Sequence, residues 1–156
     1  HQPRSRGLGD VYKRQDYPTL EKAEQVLKEL EVPYEIEVVS AHRTPERMYD
    51  YAKTAKERGL KCIIAGAGGA AALPGAIASW TSLPVIGVPV ASSELKGIDA
   101  LYAIVQMPPG IPVAGVAIGS WGARNAAYLA TQIIGLTDNK ARQAYDSYRE
   151  GLKNKS

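Results

Sequence analysis

Apolar residues recur along this chain with two different periods, and the two periods alternate. Residues 18–31 place Leu, Ala and Val on one helical face behind Pro18, whereas residues 34–39 alternate apolar and acidic side chains, as a strand does. Further strands are predicted at 62–66, 84–90 and 112–118, and further helices over about 44–59, 73–82, 97–107, 123–135 and from 138 onward. Strands alternating with helices indicate a parallel sheet with helices on both faces. The predicted fold class is therefore α/β, a three-layer αβα sandwich.

Two segments whose residues could bind a ligand or catalyse a reaction follow predicted strands. "SAHRT", the histidine loop of residues 40–44, comes after the strand at 34–39, and "GAGGAAALPG", the glycine loop of residues 66–75, comes after the strand at 62–66. In open flavodoxin-like or Rossmann-like sheets, ligands bind beyond the carboxyl ends of the strands. We therefore expect the two loops to be neighbours at a ligand-binding edge.

The histidine loop allows two interpretations. In the first, Arg43 pairs with an anion such as a phosphate, and His42 transfers a proton near neutral pH. Thr44, predicted to cap the following helix, adds amide donors that also favour an anion. In the second, the imidazole bonds to a loop carbonyl and the guanidinium covers a helix end. The residues alone leave both open.

The glycine loop is equally ambiguous. Glycines 66, 68 and 69 let a ligand approach the backbone closely, but their spacing fits neither the dinucleotide-binding pattern nor the lysine-containing phosphate loop. Binding of nicotinamide cofactors or ATP is thus unsupported. A tight turn between strand and helix, with no ligand, is the alternative.

Metal and membrane functions find little support in the sequence. His1 and His42 are the only histidines, and acidic residues show no ligand spacing, so a metal-free site is expected. The only cysteine, Cys62, lies in an apolar run and is predicted to be a core residue. Apolar stretches are broken by Gly and Pro before they reach the length of about 20 residues that a membrane span needs. With no secretory signal visible, a cytoplasmic protein is expected.

The formal net charge of +3 is carried by residues 1–15, which hold four basic side chains against Asp10, so the remaining chain is neutral. This segment has no apolar period, and a nucleic-acid partner is not expected. We predict that residues 1–15 are a disordered or foreign leader, with a functional basic arm as the alternative. Residues 16–156 are predicted to form a single α/β catalytic domain that includes the last helix.

Several segments together resemble the PurE family of purine biosynthesis, in order and in spacing. They are "VVSAHRTPERM", "IIAGAGGAAALPG", "PVIGVPV", "AIVQMPPGIPV" and "VAIGSWGARNAAYLA". The resemblance implies a 5-(carboxyamino)imidazole ribonucleotide mutase, which moves a carboxylate from the exocyclic nitrogen to ring carbon 4. It also implies a nucleotide substrate, no cofactor or metal, and a homo-octamer with active sites at subunit contacts.

The resemblance also implies roles for individual residues. His42 matches the catalytic histidine, which handles the proton on ring carbon 4, and Arg43 matches the contact to the substrate phosphate. Asp16 aligns with the aspartate of the "GSxSD" motif, which contacts the ribose. The other substrate-binding positions implied are Ser40 in the histidine loop and Gly66, Ala67, Gly68, Gly69, Ala72 and Leu73 in the glycine loop.

This chain departs from the family pattern at two places. Lys13 and Gln15 stand where "GSxSD" has its serines, and the segment before them is predicted to lack the first, central strand of the sheet. In the glycine loop, Ala72 stands where bacterial members typically have histidine. Within the family, the alternative is a direct aminoimidazole ribonucleotide carboxylase, whose glycine loop usually differs. The two departures favour a second alternative, a catalytically inactive α/β binding module.

Overall fold

The computed structural model describes residues 7–155, whose strands form one parallel sheet. Its strands are β1 (Leu8–Tyr12), β2 (Tyr34–Val38), β3 (Cys62–Gly68), β4 (Val85–Val90) and β5 (Ala114–Gly115). Their spatial order is β2-β1-β3-β4-β5, with every neighbouring pair parallel. This is the strand order of flavodoxin-like sheets, so the predicted fold class is confirmed.

Within the described residues, six α-helices cover the two faces of the sheet. They are α1 (Tyr17–Glu29), α2 (Pro45–Ala55), α3 (Ala72–Trp80), α4 (Ile98–Val105), α5 (Ser120–Gly135) and α6 (Asn139–Lys153). One core cluster lies between the sheet and α1 and α5, with α6 outside α5, and the other lies between the sheet and α2, α3 and α4. No helix in residues 7–155 combines the length and the apolar run that a bilayer crossing requires.

The prediction that the leader lacks the first strand is wrong. Residues 8–12 form β1, which is buried and lies between β2 and β3. Leu8 pairs with Tyr34 on one side and with Cys62 on the other, and the register continues to Tyr12 on the β2 side. Ladder groups of both neighbours are thus satisfied, as buried backbone requires. The part of the leader prediction that concerns residues 1–6 lies outside the described residues.

The sequence hid β1 because two of its five residues are unusual in a central strand. Gly9 is one of them, and the structure gives it a reason. A Cβ on Gly9 would lie 2.2 Å from the Tyr51 hydroxyl and 3.1 Å from a methyl group of Leu60. Tyr51 of α2 therefore packs directly over the backbone of β1, where only glycine leaves room.

At the edge of the sheet next to β4, β5 is much shorter than the predicted strand at 112–118. Only two register pairs join it to β4, Ile86 with Ala114 and Gly87 with Gly115. Pro112 has no amide hydrogen to donate to a ladder, which shortens pairing on an edge strand. Cys62 is fully buried in β3, as predicted, and burial raises the pKa of its thiol to about 12.

Asp10 is the second unusual residue of β1. Its side chain is fully buried on the face that packs against α1, and neither carboxylate oxygen has a hydrogen-bond partner in the described structure. Burial raises the pKa of Asp10 well above its usual value, and the nearby carboxylate of Glu24 raises it further. The folded state therefore favours a protonated, neutral Asp10.

We predict that Asp10→Val stabilises the protein, and more so at neutral pH than near pH 4. Because the pKa of Asp10 is raised in the folded state, protonation of Asp10 stabilises the folded protein. This stabilisation is fully present below about pH 4 and is lost as the pH rises through the folded-state pKa. Valine has no proton to lose and adds buried apolar surface. We therefore expect the substitution to raise the free energy of unfolding by about 2 kcal/mol. Urea denaturation at pH 4.5 and 7.5 measures it.

Asp50→Asn is the matched control, because Asp50 is an exposed acid of α2. It should change neither the stability nor its pH dependence. Glu24, whose pKa is also raised by burial, keeps its own share of the pH dependence in both variants. A gain for Asp10→Val of equal size at the two pH values would contradict the assignment of a protonated Asp10.

Candidate active site

The histidine loop and the glycine loop meet at the carboxyl edge of the sheet, as the sequence predicted. A cavity of about 200 Å³ lies between them. Its lining comes from the ends of four strands: Lys13 after β1, Ala41 and His42 after β2, residues 67–73 at the end of β3, and Ser92 after β4. The place is the one where open parallel sheets bind their ligands.

Ser40 and Thr44 close the histidine loop. The backbone N–H of Ser40 donates to Thr44 Oγ1 (2.8 Å), and both that hydroxyl (3.2 Å) and the Thr44 N–H (3.0 Å) donate to the Ser40 carbonyl. Ser40 Oγ accepts from the backbone N–H of Arg43 at 3.1 Å. The turn that carries His42 is thus held by its own two ends.

This geometry corrects the predicted role of Thr44. Helix α2 does begin at Pro45, but the Thr44 side chain makes no capping hydrogen bond to the helix. Its hydroxyl is used for the bonds to Ser40 instead. Ser40 is buried, and its hydroxyl shapes the loop, while the cavity wall is made by the residues that follow it.

His42 lies at the mouth of the cavity with its side chain exposed. Among residues 7–155, none makes a hydrogen bond to its imidazole, so the alternative in which it satisfies a loop carbonyl is not what the structure shows. Both ring nitrogens remain available to a ligand. Arg43 is also exposed and does not line the cavity, so the two side chains of the pair occupy different surroundings.

The glycine loop turns sharply into α3. Gly69 has φ +58° and Ala71 has φ +47°, and the turn is closed by a 3.0 Å hydrogen bond from the Ala71 N–H to the Gly68 carbonyl. A left-handed conformation is uncommon for alanine, and such residues concentrate at functional sites. A Cβ on Gly68 would lie 1.8 Å from Ser92 Oγ, so glycine is needed for this close approach.

Helix α3 presents its amino terminus to the cavity. Its first residues, Ala72 and Leu73, line the cavity, and its first turn contains no acidic side chain. The first amide groups of a helix have no carbonyl partner within it and carry partial positive charge. This end of the cavity therefore favours an anionic group such as a carboxylate.

Four of the predicted substrate-binding residues do not line the cavity: Ser40 and Arg43, described above, and Gly66 and Asp16. Gly66 is inside β3, where a Cβ would lie 2.5 Å from a methyl group of Leu20, so it allows α1 to pack closely on the sheet. Asp16 ends the short turn after Lys13 and is buried, with one carboxylate oxygen unpaired. Burial raises the pKa of Asp16, and the positive charge of Lys13 partly opposes this.

Sequence reasoning did not place Ser92 or the backbone of residues 70 and 71 in the site. It noted Lys13 only as a departure from the family pattern and gave it no role. Ser92 follows β4 at the same edge as the two loops, so the rule about carboxyl ends could have identified it. Within residues 7–155, no three His, Cys, Asp or Glu side chains gather as metal ligands would.

Comparison with known proteins gives a consistent result. The family model described as AIR carboxylase matches residues 13–155. N5-carboxyaminoimidazole ribonucleotide mutases from Bacillus subtilis and Pyrococcus abyssi are 56% and 54% identical to this chain over 138 residues. The match covers 88% of this chain, 85% of the first relative and 78% of the second. The crystal structure of Treponema denticola PurE superposes with a TM-score of 0.84 at 29% identity, covering 95% of this chain and 92% of that one.

The family match begins at Lys13, directly after β1, and runs through both loops of the cavity to the end of α6. The segments that line the cavity after β2, β3 and β4 therefore belong to the matched part of the chain. The chain belongs to the AIR carboxylase family, which is the PurE family that its motifs resemble.

Proposed function

We infer that this chain is an N5-carboxyaminoimidazole ribonucleotide mutase of purine biosynthesis. The observation that carries this conclusion is the identity of 54–56% with relatives of that name, over most of both chains. The known neighbours at lower identity share the fold and belong to the same family. The substrate is a ribonucleotide with an anionic carboxylate, and the cavity at the sheet edge has the polarity to bind such a group.

The reaction exchanges one bond for another. The bond between the exocyclic nitrogen and the carboxylate carbon breaks and releases carbon dioxide, and a new bond forms between that carbon and ring carbon 4. The nitrogen gains a proton and carbon 4 loses one, so no net proton is consumed. The small cavity would hold carbon dioxide beside the ring, where a positioned pair reacts far faster than free molecules do.

We assign the proton transfer to His42. It is the only histidine in residues 7–155, it lies at the cavity, and its imidazole is free of hydrogen bonds to the described residues. Histidine accepts and releases protons near neutral pH, as removal of the carbon 4 proton and protonation of the nitrogen require. The glycine loop supplies backbone amides for the migrating carboxylate, and Arg43, outside the cavity, is assigned to the substrate phosphate.

The size of the cavity supports a site completed by another subunit. At about 200 Å³, it is smaller than the roughly 300–1,000 Å³ of typical small-molecule sites. It accommodates an imidazole ring with its carboxylate, whereas the ribose and phosphate extend beyond it. We propose that a neighbouring copy of the chain closes the site over the rest of the nucleotide, within a homo-octamer.

An apolar stripe on α4 offers a surface for such a contact. Ile98, Tyr102 and Val105 follow one another at helical spacing and are 51%, 66% and 47% exposed. The Ala-rich face of α5 packs against the sheet and α1 inside the chain. Three large exposed apolar side chains in a row are typical of surfaces that are covered by a partner.

We predict that His42→Asn lowers the turnover number about 10²- to 10⁴-fold, because asparagine cannot carry a proton. Since the side chain is exposed, the fold and the binding of the carboxylated product should be retained, which calorimetry checks. An unchanged rate in an active preparation would remove His42 as the proton carrier. Turnover of aminoimidazole ribonucleotide with carbon dioxide, at rates matching the carboxyamino substrate, would instead favour the carboxylase alternative.

A second prediction concerns the departure at position 72. Ala72 is the first residue of α3 and lines the cavity, so a histidine there would bring a hydrogen-bond donor to the pocket. We expect Ala72→His to increase kcat/KM about 2- to 10-fold, the effect of one added hydrogen bond. Ala72→Leu adds similar bulk without a donor and should give no increase. Equal rates for wild type and Ala72→His would show that the position is dispensable here.

The assembly is tested by light scattering. We expect a mass of eight times the 16.8 kDa chain, and a shift to smaller species for Tyr102→Glu, which places a charge in the centre of the α4 stripe. Gln25→Glu, an exposed position on α1, adds the same charge elsewhere and should leave the mass unchanged. A monomeric wild-type protein would contradict the proposed assembly.

We also propose a cytoplasmic location, in line with the free, buried thiol of Cys62.

A further inference from the structure

We propose that the ion pair between Glu37 and Arg47 positions His42 for proton transfer. The inference rests on the proposed mutase function and concerns two residues that lie outside the cavity. Arg47 Nε and Nη2 lie 2.7 and 2.5 Å from Glu37 Oε1. Hydrogen bonds between two charged groups are short and directional. The pair therefore ties together two points that are ten residues apart in the chain.

This ion pair spans the histidine loop. Glu37 lies near the end of β2, and Arg47 lies in the first turn of α2. Glu37 comes three residues before Ser40, and Arg47 comes three residues after Thr44. The loop thus has two closures, an inner one made by the hydrogen bonds between Ser40 and Thr44 and an outer one made by the ion pair.

The position of His42 depends on the backbone that carries it. Its imidazole is exposed and makes no hydrogen bond to any of residues 7–155. Residues 42–47 are all exposed, and Met48 is the first buried residue of α2. Among the side chains of residues 45–47, only Arg47 makes a hydrogen bond or ion pair with another element of the described structure. The pair therefore holds the first turn of α2, and with it the end of the histidine loop, to the sheet.

A second ion pair between the same strand and helix segment offers a comparison. Arg58, which follows α2, pairs with Glu35 near the start of β2. Its guanidinium also donates to Thr54 Oγ1 (3.1 Å) and to the Tyr51 carbonyl (3.3 Å), and it covers the Tyr51 ring. This pair is farther from the carboxyl end of β2, where the cavity lies. We expect it to contribute to stability and not to the position of His42.

The test breaks each pair separately and measures both turnover and stability. Arg47→Met and Arg58→Met each remove a guanidinium and keep an unbranched side chain. We expect Arg47→Met to lower kcat about 3- to 10-fold and to change KM less than about 2-fold, because a displaced imidazole transfers protons more slowly. Its thermal unfolding midpoint should match that of wild type, since exposed ion pairs contribute little to stability. Arg58→Met should show the reverse, a lower midpoint with an unchanged kcat.

Exchange of the two charges provides the rescue. Glu37→Arg combined with Arg47→Glu restores an ion pair and should recover most of the kcat that Arg47→Met loses. An unchanged kcat in Arg47→Met would overturn the proposal, as would a double variant no faster than Arg47→Met. Loss of kcat in both single variants, each with a lower midpoint, would make the Glu37–Arg47 pair merely structural and would also overturn it.

Two further results are distinguishable from these. A smaller mass for Arg47→Met in light scattering would assign the pair to a subunit contact and would overturn its role in positioning His42. If wild type itself does not convert the carboxyamino ribonucleotide, the proposed function fails, which differs from a loss confined to one variant.

Discussion

The parallel ladder between β1 and its two neighbours positions the rest of the molecule. Because β1 pairs in parallel with β2 on one side and with β3 on the other, it brings the histidine loop and the glycine loop to the same edge of the sheet. It also delivers Lys13 to that edge, directly after its last residue. Without this strand, β2 and β3 would have unpaired ladder groups, and the two loops would not share a cavity.

Two residues of β1, Gly9 and Asp10, are poorly suited to a buried central strand. Asp10 places an unpaired carboxyl in an apolar core, where it is favoured only in its protonated form. Gly9 contributes no side chain, although its absence lets Tyr51 pack over the strand. The pairing of backbone groups with two neighbours, together with burial of Leu8, Val11 and Tyr12, offsets the cost of Asp10.

Around the cavity, short hydroxyl side chains and the backbone conformation shape the walls. Bonds between Ser40 and Thr44 hold the turn that presents His42, while the left-handed Ala71 and the absent Cβ of Gly68 shape the opposite wall. The result is a small pocket lined by one imidazole, one lysine and the amino terminus of α3. Such a pocket suits a reaction in which an anionic carboxylate moves and a proton changes place, with positioning as the main source of rate.

The sequence by itself determined the α/β class, the order of helices and strands from α1 onward, and the meeting of two loops at one edge. These follow from local periodicity and from the handedness of crossovers, which need no knowledge of distant contacts. Only the tertiary structure decided that residues 8–12 form the central strand, that β5 is two residues long, and that Gly66 supports α1 while Ser92 and Lys13 face the cavity. Each of these depends on partners far away in the chain: a strand with Gly9 and Asp10 forms because two neighbours supply its ladder, and a side chain lines a cavity because other strands place their ends around it.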